Sequence, residues 1–358
     1  MTPIRVGMIG LSATAKTSWA SAAHLPYLQA CNDKFTITAL CNSSVSAAQA
    51  AIEAYDLPPN TKAYGNPEDL ADDTEIVLIV CNVRTYTTRQ SSLVCSKGRM
   101  LAANLKDAQE LNRIAKENGS RTMIGLQGQL APLIIKLKSL IEKEIKIGKV
   151  LSSSVLAFGG TRTRDSVIQG LKYFTQQEIG GNMVTIGFGH MIDFVEKVLG
   201  EISPSKTQLN IQRPQIDILG SDGKTIERTT TDVADHIMLQ GTLKSGAPLA
   251  VVFRRGPPFK DDPSFTWLIH GEKGEIKVTS ATVAVQATNN NHTIAIHDFE
   301  EDDIDFVQWD SPFKDLPDRA RNVAAMYEAF AEADVEQYPD FDHAVLRHVQ
   351  LDQILRNS

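Results

Sequence analysis

Apolar runs and helix-like stretches alternate along the first 125 residues. Short apolar runs predict buried parallel strands at residues 4–10, 35–41, 75–81 and 121–126. Helical spacing of apolar positions predicts helices at 19–28, 46–55 and 107–118. Alternating strands and helices indicate an α/β fold, with a doubly wound parallel sheet forming a Rossmann domain at residues 1–128.

The pattern changes after about residue 130. A long amphipathic helix is predicted at 132–147, where Gly148 ends it. Strands are predicted at 150–158, 207–213, 236–243, 249–254, 266–271 and 274–279, and terminal helices at 319–333 and 341–355. Turn residues at 244–247 and 271–274 predict hairpins, and the acidic run 300–303 reads as a solvated loop. Residues 129–358 are therefore expected to form an α+β domain with a large, mostly antiparallel open sheet.

Composition excludes several classes of protein. The chain has 358 residues and a formal net charge of −7, without a basic run dense enough for a nucleic-acid footprint. It has neither an apolar stretch long enough to cross a membrane nor the features of a signal peptide. Its four cysteines, Cys31, Cys41, Cys81 and Cys95, lack CxxC spacing. We therefore expect reduced thiols, no zinc site and a cytoplasmic location.

The loop after the first strand is a candidate phosphate cradle. A Rossmann fingerprint places three glycines there, so that the backbone approaches a pyrophosphate at a helix N-terminus. Here Gly10 stands alone, with Ser12 and Ser18 where the other glycines are expected. Their small size still allows close approach, and their hydroxyls can bond phosphate. The alternative is an irregular loop that binds nothing.

The end of the second strand bears on cofactor choice. NAD-binding folds place Asp or Glu there to bond the ribose 2′-hydroxyl. This chain has Asn42, Ser43 and Ser44 instead, which would not repel a 2′-phosphate. The pattern favours NADP(H), with NAD(H) also possible. Alternatively, these residues only form a turn and helix cap.

A glycine-rich segment at 180–193 is the candidate catalytic region. His190 and Asp193 lie three residues apart on one helical face. A histidine there could donate a proton to a carbonyl oxygen. The alternative is a hydrogen-bonded structural histidine. No second set of ligands with metal spacing lies nearby, so no metal site is predicted.

Segments 6–10, 180–193, 234–243 and 267–274 resemble the Gfo/Idh/MocA family of nicotinamide-dependent sugar and polyol oxidoreductases. The chain is most similar to the fungal branch that contains the galactose-pathway repressor, a dinucleotide-binding transcriptional regulator. The features shared with that branch are Trp19, His24, Pro26, 125–128 and 188–190. The resemblance implies a Rossmann domain plus a second domain whose open sheet face mediates oligomers, so we expect a homodimer.

The chain departs from the family at several positions where the family carries catalytic residues. The family has a Glu-Lys-Pro motif that carries a catalytic lysine. This motif is absent here, because residues 97–103 run directly into 104–107. Lys106 is the lysine nearby. Ile186 stands where sugar dehydrogenases carry aspartate, and Thr88 where a histidine is frequent. His190 remains as the acid/base group, with Tyr173 and Lys172 as helpers. The predicted dinucleotide contacts are Gly10, Leu11, Ser12, Ala13, Ser18, Trp19, Asn42, Ser43, Ser44, Cys81, Asn82, Val83 and Gln127.

Three functions are consistent with these features. The first is an NADP(H)-dependent oxidoreductase acting on a small carbonyl, imine or hydroxylated compound. The second is a non-catalytic dinucleotide-binding regulator that acts through a protein partner. The third is a redox-neutral isomerase or cyclase in a remodelled pocket.

Overall fold

The computed structural model describes residues 2–15, 18–83, 104–159, 161, 163–289, 291–334 and 337–356. The chain divides into two compact units. Unit 1 comprises Met1–Gln127 and Phe313–Val349, and unit 2 comprises Gly128–Pro312 and Gln350–Ser358. In the described ranges, no helix has the length and apolar character needed to span a bilayer.

Unit 1 contains a parallel four-stranded sheet in the order β3-β2-β1-β4, which confirms the Rossmann-like prediction. Its strands are β1 (Ile4–Ile9), β2 (Phe35–Cys41), β3 (Lys62–Tyr64) and β4 (Leu78–Cys81). Its helices are α1 (Leu25–Ala30), α2 (Val45–Ala54), α3 (Pro67–Ala71), α4 (Leu105–Glu117) and α7 (Asp318–Ala331). The chain enters α1 through a π-helical segment, Ala20–His24.

Polar side chains fix where the helices of unit 1 begin. The Ser44 hydroxyl accepts a hydrogen bond from Ala47 N (3.1 Å) and caps α2, as predicted. Asn104 accepts from Asp107 N (3.0 Å) and caps α4 in the same way. The short side chains thus satisfy backbone donors that have no partner within the helix.

Two strand predictions in unit 1 need correction. The strand predicted at 121–126 does not form, and Ile124 N instead donates to Pro339 O (2.8 Å). The strand predicted at 75–81 is confined to Leu78–Cys81. Its predicted start is a turn, because Asp73 accepts hydrogen bonds from Glu75 N and Ile76 N.

Unit 2 is built on an eight-stranded sheet in the order β15-β14-β13-β12-β5-β11-β10-β7. The pair β5–β11 is parallel and the other pairs are antiparallel, which confirms the mostly antiparallel sheet. Its strands are β5 (Val150–Gly159), β7 (Ile202–Asn210), β10 (His236–Leu243), β11 (Pro248–Arg255), β12 (Phe265–Gly271), β13 (Gly274–Ser280), β14 (His292–Asp298) and β15 (Asp303–Phe306). Both predicted hairpins form, and the acidic run lies in the exposed turn that leads into β15.

One face of this sheet carries helices α5 (Pro132–Glu142) and α6 (Gly189–Leu199). Their apolar side chains share one core with Trp267, Phe253 and Phe265 of the strands. A smaller sheet consists of β6 (Ser166–Ile168), β8 (Gln215–Leu219) and β9 (Thr225–Thr230). The last helix, α8 (Phe341–Arg356), is divided between the two units.

Two boundaries in unit 2 differ from the sequence expectation. The helix predicted to continue to residue 147 ends at Glu142, and Ile145 takes a left-handed conformation (φ +51°) that a helix cannot continue through. The strand predicted at 207–213 runs instead over Ile202–Asn210. Its predicted end is drawn away from the ladder because Gln212 N and Arg213 N donate to the Asp235 carboxylate.

Candidate functional site

Gly10 lies at the carboxyl end of β1, where β1 is flanked by β2 and β4. Its backbone is left-handed (φ +92°), and a Cβ added there would lie 2.6 Å from Asn82 O. Any other residue would therefore be strained both by its conformation and by crowding. In α/β sheets, this is the edge at which phosphate-containing ligands approach the backbone.

Asn82 carries an unsatisfied donor at the same edge. Its backbone N donates to Ile9 O (2.8 Å), which aligns the ends of β4 and β1. Its side-chain Nδ2 is buried and has no hydrogen-bond partner in the part of the chain that the structure describes. Leaving such a donor unpaired costs about 1–3 kcal/mol. A crowded glycine beside an unpaired amide fits a site completed by a ligand's acceptor atoms.

Side chains from other segments of unit 1 donate hydrogen bonds to the loop that follows Gly10. Asn42 Nδ2 donates to Leu11 O (2.8 Å) and Ala47 O (3.2 Å), and Tyr55 Oη donates to Ser12 O (2.9 Å). Leu11 is fully buried, whereas Ala13 is exposed. The backbone at Leu11 and Ser12 is thus held in place, while Ala13 is accessible. Ser18 is used locally, since its hydroxyl accepts from Ser21 N (3.2 Å).

The sequence allows two interpretations of Asn42–Ser44, the three residues after β2: contact with a dinucleotide ribose, or a turn and helix cap. Ser44 is the helix cap, and the Asn42 amide is spent on backbone carbonyls, as the turn-and-cap alternative expects. Ser43 is exposed. No carboxylate stands among residues 42–46. Of the three residues, Ser43 is therefore the one with an exposed side chain.

A small pocket, open to solvent, lies within unit 1 and brings three predicted residues together: Trp19, Cys81 and Gln127. His24 and Tyr327 also line it, joined by a hydrogen bond between His24 Nδ1 and Tyr327 Oη (2.8 Å). Sequence reasoning did not assign this pair to the site. The two residues lie 303 positions apart, so no local spacing links them.

We expect His24 to make the free energy of unfolding depend on pH. Burial lowers the pKa of His24 to about 4, so the folded protein keeps it neutral where the unfolded chain would protonate it. The free energy of unfolding should therefore fall as pH drops from about 6.5 towards 4, by at most on the order of 3 kcal/mol from this group. Chemical denaturation of wild type and His24→Gln across this range checks it, since the variant should lose less stability on acidification. An identical pH dependence in both proteins would contradict the assignment.

Unit 2 holds the candidate acid/base group. His190 is the second residue of α6, and the preceding π-helical segment Met183–Phe188 is fixed by a capping box between Asn182 and Thr185. Burial lowers the pKa of His190, and the charge of Asp193 opposes part of that shift. The ring is therefore neutral at pH 7. The residue is partly exposed.

Asp193 and the two predicted helpers, Lys172 and Tyr173, each contact other side chains. Asp193 is 1% exposed and accepts from Gln129 Nε2 at 3.1 and 3.2 Å. Lys172 lies in the 3₁₀ turn Gln169–Thr175 and is ion-paired with Glu227 (2.6 Å). The Tyr173 ring packs edge-on against Phe174, with centroids 5.1 Å apart. Releasing Lys172 for chemistry would require breaking its pair.

Several sequence expectations fall outside the described residues: Thr88, Cys95 and the shortened connection at 97–103. Lys106 is described and lies exposed in the first turn of α4. Cys31, Cys41 and Cys81 form no disulfide. Within the described ranges, no group of three or more His, Cys, Asp or Glu side chains is arranged to hold a metal ion.

Comparison with known proteins places these features in a family context. Residues 132–280 match the family described as Gal80p, C-terminal domain. The dehydrogenase aclE of Aspergillus oryzae is 26% identical over 367 residues, which cover 99% of this chain and 96% of that protein. The galactose/lactose metabolism regulatory protein GAL80 of Saccharomyces cerevisiae is 29% identical over 293 residues, covering 77% of this chain and 66% of that protein.

Solved structures agree with the fold. A super-repressor mutant of Gal80p from S. cerevisiae superposes with a TM-score of 0.88 at 23% identity, covering 99% of this chain and 96% of that one. Levoglucosan dehydrogenase in complex with NADH and L-sorbose gives 0.75 at 17% identity, covering 100% and 97%. The overall architecture is therefore shared by a regulator and a dehydrogenase.

Proposed function

We propose that this chain is a dinucleotide-dependent oxidoreductase that uses NADP(H). Its substrate would be a small carbonyl, imine or hydroxylated compound. The observation that carries the proposal is the edge formed by Gly10 and Asn82, where a Cβ has no room and a buried amide donor has no partner among the described residues. The likeness to the dehydrogenase aclE over nearly the whole chain supports it.

The residues present fit the dinucleotide in distinct ways. The Gly10 backbone would allow close approach of the pyrophosphate, and the Asn82 amide would donate to an acceptor of the ligand. Trp19, Cys81 and Gln127 would line the neighbouring pocket. The nicotinamide, when bound, supplies the hydride chemistry. The protein must therefore bind and orient the dinucleotide and the substrate, and it must transfer one proton.

His190 is proposed to manage that proton. As a neutral imidazole it can take the proton of a substrate hydroxyl during oxidation, and its protonated form can return it during reduction. The lowered pKa makes the base form dominant at pH 7.

Cofactor preference is testable at Ser43. Ser43→Asp should weaken NADPH binding at least tenfold, because the carboxylate repels the 2′-phosphate. NADH affinity should stay within a factor of about two or improve, since a carboxylate can accept from the ribose 2′-hydroxyl. Calorimetric titration with both dinucleotides measures the ratio, and the NADH titration controls for damage to the fold. Unchanged NADPH affinity would remove Ser43 from the site.

A non-catalytic regulator is the second candidate, favoured by the 29% identity to the yeast regulatory protein GAL80 and by the pairing of Lys172 with Glu227. Such a protein would bind dinucleotide without turnover.

A substrate screen with bound NADP(H), together with capture from native extract, separates the oxidoreductase from the regulator. Hydride transfer supports the oxidoreductase, whereas dinucleotide binding without turnover and with a stoichiometric partner supports the regulator. Activity that persists after removal of all nucleotide would support redox-neutral chemistry instead.

A further inference from the structure

Arginines from three chain segments converge at the carboxyl end of β11 in unit 2. Arg254 and Arg255 are the last residues of β11. Arg254 pairs with Phe158 of β5 and with His236 of β10 in the sheet register. Arg213 follows β7, and Arg164 precedes β6. This end of the sheet therefore concentrates positive charge in a protein whose net charge is −7.

Arg255 fixes the position of its neighbours. It is 7% exposed, and its guanidinium donates to Thr161 Oγ1 (3.2 Å) and Ser166 O (3.1 Å). These bonds tie the segment that contains Arg164 to the strand end. A Cβ built on Gly256 would lie 2.6 Å from Arg164 Cγ, so the stem of Arg164 packs directly on the chain beyond Arg255.

Arg254 and Arg213 are held by separate contacts. The Arg254 guanidinium lies 4.3 Å from the centroid of the Phe158 ring, and its Nη1 donates to Pro257 O (3.1 Å). Arg213 N donates to Asp235 Oδ2 (2.7 Å). The other oxygen of Asp235 accepts from Gln212 N (3.0 Å). Both oxygens of this carboxylate therefore accept from backbone amides.

The charges in this cluster are not neutralised by ion pairs. Among the described residues, no carboxylate forms a salt bridge with any of these four arginines, whereas Arg113 and Arg228 are paired with Glu110 and Asp217. The acidic groups that act on Arg255 are Asp235 and Asp165. Burial, together with the charges of Arg164 and Arg213, lowers the pKa of Arg254. Arg254 thus lies close enough to Arg164 and Arg213 for their positive charges to repel its own.

We propose that Arg164, Arg213 and Arg254, named here the arginine triad, bind a small anion that carries a carboxylate or phosphate group. The planar guanidinium fork matches both groups in a bidentate manner. Arg255 is a positioning residue, because it is buried and its Nε and Nη2 donate to Thr161 and Ser166. The site lies apart from the Gly10 edge in the chain and stands independently of the proposed dinucleotide chemistry.

Calorimetric titration of the full-length protein with inorganic phosphate and with citrate, at low and moderate salt, tests the proposal. Arg254→Gln, and the double variant Arg164→Gln/Arg213→Gln at exposed positions, should each weaken the preferred probe at least tenfold. Arg228→Gln is the matched control, because Arg228 is exposed nearby in sequence but ion-paired with Asp217. Its affinity for the probe should stay within a factor of about two of wild type. Thermal melts confirm that each variant folds.

The two probes distinguish the source of the anion. Phosphate binding that the triad variants weaken indicates a phosphoester ligand, and citrate binding that they weaken indicates a carboxylate ligand. Equal affinity in the triad variants, the control and wild type would overturn the proposal, as would a lack of binding by both probes. NADPH affinity is measured in parallel and should be unchanged in the variants, so failure here is separate from failure of the dinucleotide site.

Discussion

Gly10→Ala should lower dinucleotide affinity about a hundredfold or more. The alanine Cβ would lie 2.6 Å from Asn82 O, so the ends of β1 and β4 must separate, and the left-handed backbone (φ +92°) becomes unfavourable. A shift of about 3 kcal/mol, from strain plus loss of the approach surface, corresponds to roughly a hundredfold in Kd. Calorimetric titration with NADPH gives the result directly.

Gly119→Ala is the matched control for this substitution. Gly119 has φ +58°, yet nothing lies within 4 Å of a Cβ built there. The control therefore shares the conformational cost without the crowding. It should lose about 1 kcal/mol of stability and keep wild-type dinucleotide affinity. Equal losses of affinity in the two variants would show that destabilisation, rather than the Gly10 edge, accounts for the effect.

His190→Ala should reduce turnover by about 10²–10⁴-fold, the usual contribution of a positioned acid or base. Dinucleotide affinity should stay nearly unchanged, because the predicted cofactor contacts described for Gly10, Asn82 and Trp19 do not involve His190. Steady-state kinetics with the substrate found by screening measures kcat, and NADPH titration measures affinity. His270→Ala, a change in β12 of the same unit, serves as control. Equal turnover in His190→Ala and wild type would remove His190 from the mechanism.

The pH dependence of turnover follows from the state of His190. Burial holds its pKa below the ordinary value, so the neutral base form persists on acidification beyond the point where a free histidine protonates. Oxidation, which needs the base, should be constant around pH 7 and fall only when pH drops through the lowered pKa. Reduction, which needs the acid, should rise over the same interval. A profile in the wild type centred above pH 6.5 would contradict this assignment.

Much of the fold follows from local pattern. The strand Phe35–Cys41 and the strand His236–Leu243 match their predicted bounds, because alternating or continuous apolar runs with turn residues at both ends determine them locally. The strand predicted at 121–126 fails for a non-local reason. Its backbone donor at Ile124 is satisfied by Pro339, more than 200 residues away in the chain, and no sequence window shows that contact.

The candidate site was predictable only in part. Gly10 was found because a glycine after an apolar strand has a known backbone use, and His190 because it follows a glycine-rich segment. The unpaired amide of Asn82, the His24–Tyr327 hydrogen bond and the bonds of Arg255 to Thr161 and Ser166 are tertiary contacts. Their residue types are common, and their meaning depends on partners brought together by folding.

The most direct test of the account is calorimetric titration of purified, nucleotide-stripped wild-type protein with NADPH, NADP⁺, NADH and NAD⁺. The Gly10–Asn82 edge predicts micromolar binding. The lack of a carboxylate at residues 42–44 predicts tighter binding of NADPH and NADP⁺ than of NADH and NAD⁺. Absence of binding by all four would contradict both the oxidoreductase and the dinucleotide-binding regulator, and would mean that this Rossmann-like unit serves another purpose.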